Sequence, residues 1–157
     1  HERALSARGI RLDVAIDPDA TTVFADPSRL EQVLQNLAAN AIRHTPDGGT
    51  VAIRVRRAPR GVALEVRDSG PGIPDEHLPL IFDRFYKADA SRQASGGSGL
   101  GLSIVKAIVE AHGGTVTAHN DRGAVFTVTL PDASAAPAGE SSAAQGPLSP
   151  GGDGSQP

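Results

Sequence analysis

Apolar residues recur at every second position from Ile10 through Leu12 and Val14 to Ile16, the period of a half-buried strand. Residues 22–25 form a second, short β-prone stretch. Asp26-Pro27 then supplies a capping acceptor followed by proline at the first helical position. Leu30, Val33, Leu34, Leu37, Ala38, Ala41 and Ile42 recur at intervals of three and four, predicting a helix with one apolar face to about His44. The turn cluster Thr45-Pro46-Asp47-Gly48-Gly49 ends it. Val51/Ile53/Val55 and Val62/Leu64/Val66 alternate on either side of Arg60-Gly61 and read as a hairpin. Residues 68–98 keep no period and are rich in Gly, Pro, Asp and Ser; a loop of that length is unusual unless it is functional. Residues 100–112 predict a second helix, with Leu102, Val105, Ile108 and Val109 on one side and Gly113-Gly114 as its stop. Val116/Ala118 and residues 125–130 supply the last strands.

This order, β-β-α-β-β-loop-α-β-β, differs from the regular alternation of a doubly wound parallel sheet. It implies an α+β two-layer sandwich, with a mixed, mostly antiparallel sheet and helices on one face. The last 26 residues hold six Ala, five Gly, five Ser and four Pro but a single large aliphatic, Leu148. Such a segment cannot bury enough apolar surface to offset its ordering entropy. The expected division is therefore a folded domain over residues 1–131 and a disordered tail over 132–157. The formal charge is −3, and the tail carries Asp132, Glu140 and Asp153 without Lys or Arg, so the folded part is neutral. That lacks the basic excess of a chain that binds nucleic acid by bulk charge. Cysteine is absent, which removes disulfides, thiolate metal sites and a thiol nucleophile. Methionine is absent even at position 1, so a piece of a longer protein, or a processed product, is expected. No run approaches the roughly 18 consecutive apolar residues of a membrane span, so no membrane contact is expected of this piece.

Three features carry candidate chemistry. Gly96-Gly97-Ser98-Gly99-Leu100-Gly101-Leu102 runs directly into the second helical pattern. Unencumbered backbone N–H groups at the positive end of a helix suit a phosphate chain, although such loops are as often plain turns, and no Gly-Lys-Ser/Thr follows. Asp68-Ser69-Gly70-Pro71-Gly72-Ile73-Pro74 follows a strand. Its carboxylate is acceptor-only, suited to an amino group such as that of adenine; the other reading is Asp opening an ordinary turn. Asn36 and Asn40 lie one helical turn apart beside the apolar stripe, with Arg43 three residues on. A carboxamide oxygen is a suitable ligand for Mg²⁺ shared with phosphates, and equally a core amide bonded to neighbouring loops.

Four segments occur in order: Asn36-Leu37-Ala38-Ala39-Asn40-Ala41-Ile42-Arg43-His44-Thr45-Pro46, Asp68-Ser69-Gly70-Pro71-Gly72-Ile73, Ile81-Phe82-Asp83-Arg84-Phe85-Tyr86-Lys87 and Gly97-Ser98-Gly99-Leu100-Gly101-Leu102. Together they resemble the asparagine, first glycine, phenylalanine and second glycine boxes of the catalytic, ATP-binding domain of bacterial two-component sensor histidine kinases. Residues 123–131 resemble that family's closing strand, which brings in Thr127. The resemblance implies the Bergerat sandwich, with ATP and Mg²⁺ as cofactors beneath a lid over about residues 85–98. Asn40 would coordinate Mg²⁺ with Asn36 assisting, Arg43 would neutralise phosphate charge, and His44 would lie against the nucleotide. Asp68 would accept from the adenine amino group, with Gly70, Gly72 and Ile73 shaping the pocket. Gly97, Leu100, Leu102 and the intervening Gly99 and Gly101 would wrap the triphosphate. Phe82 and Phe85 would anchor the lid base, and Arg84 or Lys87 would approach the γ-phosphate.

It further implies transfer of the γ-phosphoryl group to a histidine in a separate helical-hairpin domain of a cytoplasmic portion of the parent, with a response regulator downstream. The isolated domain would be a monomer. Of the five histidines, only His1-Glu2 begins to match the phosphoacceptor context, and Arg3-Ala4-Leu5-Ser6 departs from it. The chain is thus expected to bind nucleotide without phosphorylating itself, with His77, His112 and His119 as ordinary surface or loop residues. Relatives on this fold that hydrolyse ATP carry glutamate where Asn36 stands, and a carboxamide cannot act as general base. Glu31 lies about 140° around the helix from Asn36. Two other readings share most of these boxes: a protein serine kinase of the anti-sigma-factor type, and a non-catalytic nucleotide-sensing module.

Overall fold

The computed structural model describes residues 1–20, 23, 25–86 and 100–132. Its elements are α1 (Glu2–Ala7), β1 (Arg11–Ile16), α2 (Pro27–His44), β2 (Thr50–Ala58), β3 (Gly61–Asp68), a 3-10 turn at Leu78–Leu80, α3 (Gly101–Ala111), β4 (Thr115–Asn120) and β5 (Ala124–Pro131). The five strands form one sheet in the order β1-β2-β3-β5-β4. β1 runs parallel to β2, and every other pair is antiparallel.

The α2 boundaries follow from local chemistry. The Asp26 side chain accepts a hydrogen bond from Ser28 N at 2.9 Å, and Pro27 occupies the first turn, where its missing N–H costs nothing. Asp26→Ala should therefore lower stability by about 1 kcal/mol, read as a shift of the urea midpoint at unchanged slope. Val33, Leu37 and Ala41, four apart, are buried along one side of α2 and meet Val105 and Val109 of α3. Beneath them lie Val51, Val66, Phe126 and Val128, which alternation places on a single face of the sheet. The sandwich therefore has two layers, as the element order implies.

Two expectations require correction. The stripe on β1 is not half-buried: Ile10 just before it is sealed, but Leu12, Val14 and Ile16 are 44%, 58% and 66% exposed. They share the inward face of the sheet, because Leu12, Val14 and Ile16 pair with Val51, Ile53 and Val55. However, α2 lies over β3 and reaches β2, while α3 lies over β4 and β5. Two helices about 10 Å apart cover roughly four strands at about 4.8 Å spacing, and the outermost strand lies beyond them. The chain also opens with a helix, α1, where the sequence carries no apolar period; only its Leu5 is buried. Within residues 22–25, Val23 makes an isolated bridge to Asp132, and positions 22 and 24 lie outside the described residues. The tail beyond Asp132, and the expected lid beyond Tyr86, also lie outside them.

Candidate functional site

Among the described residues the buried polar side chains are Asn40, Thr45 and Asp68. Thr45 is satisfied within its own turn, its hydroxyl donating to the Ala41 carbonyl at 2.7 Å. The other two sit at the ends of α2 and β3 that converge on one side of the sheet. Asp68 Oδ1 accepts from Gly70 N at 2.9 Å and from Ala124 N at 3.1 Å. Oδ2 takes no bond from the described residues, and among them no side-chain atom sealed from solvent lacks a partner, so Oδ2 is reachable from outside. A rigidly held carboxylate with one oxygen committed and the other open can accept from a ligand's N–H group.

The two walls meet at Gly70. A Cβ there would lie 2.3 Å from the His44 carbonyl oxygen, so only glycine lets the loop after β3 pass this close to the end of α2. On α2, Arg43 donates to Asn40 Oδ1 at 3.0 Å, which leaves that carbonyl oxygen a second lone pair. One turn earlier, Asn36 Nδ2 donates to the Gly101 carbonyl at 3.4 Å, tying α2 to the start of α3. Leu100 caps α3 without a side-chain hydrogen bond to its first-turn N–H groups, donors that have no partner within the helix itself. The site thus offers one carboxylate oxygen, two carboxamides, one guanidinium and helix N–H groups. No cluster of three His, Cys, Asp or Glu able to hold a metal exists among the described residues.

Residues 25–134 match the family described as histidine kinase-, DNA gyrase B- and HSP90-like ATPases. The chain belongs to this family. It is 51% identical over 131 residues to the signal transduction histidine-protein kinase AfsQ2 of Streptomyces coelicolor, covering 80% of this chain and 24% of that one. It superimposes on the catalytic domain of histidine kinase ThkA with TM-score 0.74 and 34% identity, covering 83% and 84% of the two chains. Full-length ShkA in complex with AMPPNP matches with TM-score 0.72 and 32% identity, over 82% of this chain and 27% of ShkA. The chain spans about a quarter of the length of curated relatives such as AfsQ2.

In this histidine kinase ATPase domain, the structure brings together Asn36, Asn40, Arg43, His44, Asp68, Gly70 and Gly101 as described, with Gly72 and Ile73 on the same loop as Asp68. Gly72 adopts a left-handed φ of +79°, and Leu100 and Leu102 sit at the start of α3. Gly97, Gly99 and Lys87 lie outside the described residues. Thr127 is not brought to the site. It pairs with Glu65 and Thr117 on the outward face, because alternation from inward Phe126 and Val128 turns it away from the helices. The phenylalanine box divides as well. Phe82 packs edge-on against Phe126, with ring centroids 6.2 Å apart, and anchors its loop in the core. Phe85 is 64% exposed, and Arg84 lies over its ring at 5.2 Å rather than over the site.

Two contributors escaped sequence reasoning. Ala124 acts through its backbone N–H on Asp68, and a main-chain donor leaves no trace in residue type. Asn120, at the end of β4, accepts from Ile73 N at 2.8 Å through Oδ1 and donates through Nδ2 to the Ile73 carbonyl, clamping the loop after β3 by one backbone unit. The expected bland roles of two histidines also change. His112 Nε2 accepts from Asp26 N at 3.2 Å while Nδ1 lies 2.7 Å from the Ile108 carbonyl, joining the end of α3 to the start of α2. His77 Nδ1 meets the Tyr86 hydroxyl.

The turn that delivers Ala124 is braced by Arg67 and Asp121, 2.8 Å apart. The hydrogen bond from Arg67, and then its charge, hold the Asp121 carboxyl below its ordinary value. A carboxyl lowered in the folded state contributes stability above its unfolded pKa of about 4, and that contribution is lost as pH falls through the folded value. Asp121→Asn should therefore melt slightly lower than the parent at pH 6, and the gap should narrow as pH falls below about 4. Because the pair is exposed, the gap is small.

Proposed function

We propose that this domain binds Mg-ATP and donates its γ-phosphoryl group to a histidine on a separate helical-hairpin domain of a longer, cytoplasm-facing sensor kinase. The carrying observation is Asp68, buried and fixed by two backbone donors through one oxygen while the other stays reachable beside Asn40 and Arg43. Oδ2 accepts from the exocyclic amino group of adenine, and the close approach at Gly70 sets the distance from that contact to α2. Asn40 Oδ1 would be the protein's ligand to a magnesium carried in with the nucleotide, with Asn36 assisting, and the ion would neutralise phosphate charge. Arg43 exchanges its bond to Asn40 for a phosphate oxygen. His44 lines the nucleotide, and the first-turn N–H groups of α3 meet the phosphates. Phosphoryl transfer asks mainly for positioning and charge neutralisation, and this donor set supplies both. The ThkA structure solved in complex with response regulator protein TrrA supports a response regulator as the downstream partner.

Calorimetric titration with AMPPNP, with and without Mg²⁺, tests the pocket; saturable one-to-one binding that weakens without the metal is expected. Mixing with a separately expressed hairpin domain tests the acceptor. The transferred phosphate should be acid-labile and alkali-stable, as phosphohistidine is, and an acid-stable product would instead support the serine kinase reading. Without an acceptor, phosphate release from ATP should stay near background. A carboxamide at Asn36 takes no proton from water, and the nearest carboxylate on α2, Glu31, accepts from Gln35 at 3.1 Å. Sustained turnover by the domain alone would overturn that part.

A further inference from the structure

We infer that Arg8 is a positioning residue for the nucleotide site and the link through which the placement of α1 is felt there; this rests on the nucleotide reading above. The last carbonyls of any α-helix lack intrahelical partners, and α2 ends where the site begins. The Ala41 carbonyl is served by Thr45, through both N–H and hydroxyl. Further capping of this end comes from Arg8, 34 residues upstream of Ile42. Its NH1 donates to the Ile42 carbonyl at 2.5 Å, NH2 donates to the Thr45 carbonyl, and Nε donates to Asp47 at 2.8 Å. The planar fork thus spans the final turn and the loop beyond it, with its charge at the negative end of the helix dipole.

Backbone contacts make the clamp mutual. Gly48 N donates to the Arg8 carbonyl at 2.9 Å and Arg11 N to the Gly49 carbonyl at 3.0 Å, while Leu5 and Ile10 on either side are buried in the common core. The turn held this way carries Arg43 and His44, and the His44 carbonyl is the surface against which Gly70 fits. A continuous contact path therefore runs from α1 through Arg8 and the α2 terminus to the loop that bears Asp68. The exposed partner Asp47 adds little by itself, since its side chain is 78% accessible; the two carbonyl bonds do the holding.

Arg8→Gln removes the charge and part of the fork. Arg8→Lys keeps the charge and loses the fork. In the full 157-residue chain, both should weaken AMPPNP binding by about tenfold, because sub-ångström displacement of a site's supporting turn is felt at the ligand. Val116→Ala, in β4 beyond the far end of the site, serves as a control of comparable thermal destabilisation and should leave affinity within about twofold. Amide spectra without nucleotide should show Gly70 and residues 43–47 shifted in both Arg8 variants and unshifted in Val116→Ala. Affinity in Arg8→Gln within twofold of the parent, or an equal loss in Val116→Ala, overturns the inference. So does restoration of full affinity by lysine, which would reduce the role to charge. If the parent itself fails to bind AMPPNP, the nucleotide reading fails. The Gly70 amide then still decides whether Arg8 positions the loop: an unmoved signal refutes the link.

Discussion

Asp68→Asn should weaken binding of AMPPNP by about a hundredfold or more while leaving the domain folded. The separation of these two effects follows from the division of labour between the carboxylate oxygens. Gly70 N and Ala124 N both point at Oδ1, so an asparagine at this position must place its carbonyl oxygen there to satisfy them. Its NH₂ group then occupies the position of Oδ2 and presents donors where an adenine amino group also presents donors. Two donors facing each other in a partly desolvated site leave both unpaired, which costs more than the loss of a single bond. The same substitution should narrow or reverse the preference between adenine and a base bearing a carbonyl at that position, such as guanine or hypoxanthine. Calorimetry with AMPPNP and the corresponding guanosine analogue checks both, and a melting curve checks the fold. Asp68→Ala is the poorer probe, because it orphans the two backbone donors and mixes stability with affinity. Binding of AMPPNP by Asp68→Asn within threefold of the parent would remove Asp68 from the site.

Gly123→Ala should destabilise the domain by about 3 kcal/mol or more, lowering the melting temperature by roughly 10 °C or more. Gly123 has φ of +134°, where an L side chain is strained, and a Cβ there would sit 2.0 Å from the Asp68 carbonyl oxygen. Because that oxygen belongs to the backbone of β3, no rotamer change can relieve the contact. The chain must instead move the turn between β4 and β5, which carries Ala124 N away from Asp68 Oδ1. Nucleotide affinity should therefore fall along with stability in this variant, in contrast to Asp68→Asn. Thermal unfolding followed by circular dichroism, together with AMPPNP titration well below the new midpoint, checks both. A melting temperature within 3 °C of the parent would show that the turn has room that the structure does not give it.

These two variants mark how far the residues alone can be read. Asp68 was legible because a carboxylate followed by Gly70, Pro71 and Gly72 after an alternating run combines a rare chemistry with a visible boundary. Asn36 and Asn40 were legible because amides on the flank of an apolar stripe contradict that stripe's own periodicity. Gly123 and Ala124 were not, because their contribution is a main-chain N–H and the absence of a Cβ, and both depend on which strand lies alongside. Arg8 and Asn120 were hidden for a related reason: each binds backbone atoms 34 or more residues away, and such atoms have no type to match.

What the residues determine on their own is local: the 2.0 and 3.6 periods that set β2, β3, β5, α2 and α3, the Asp26-Pro27 start of α2, and the ordered boxes that name the family. Tertiary structure alone decided the rest. The helical layer is two helices wide and the sheet five strands wide, so an apolar alternation that reads as buried on β1 ends in solvent. Register decided that Thr127 faces outward, because a single step along β5 exchanges the faces. Proximity decided that an arginine from the first helix closes the last turn of the second. Periodicity reports which face of an element is apolar; only packing determines what covers it, and which backbone groups are left for a distant side chain to satisfy.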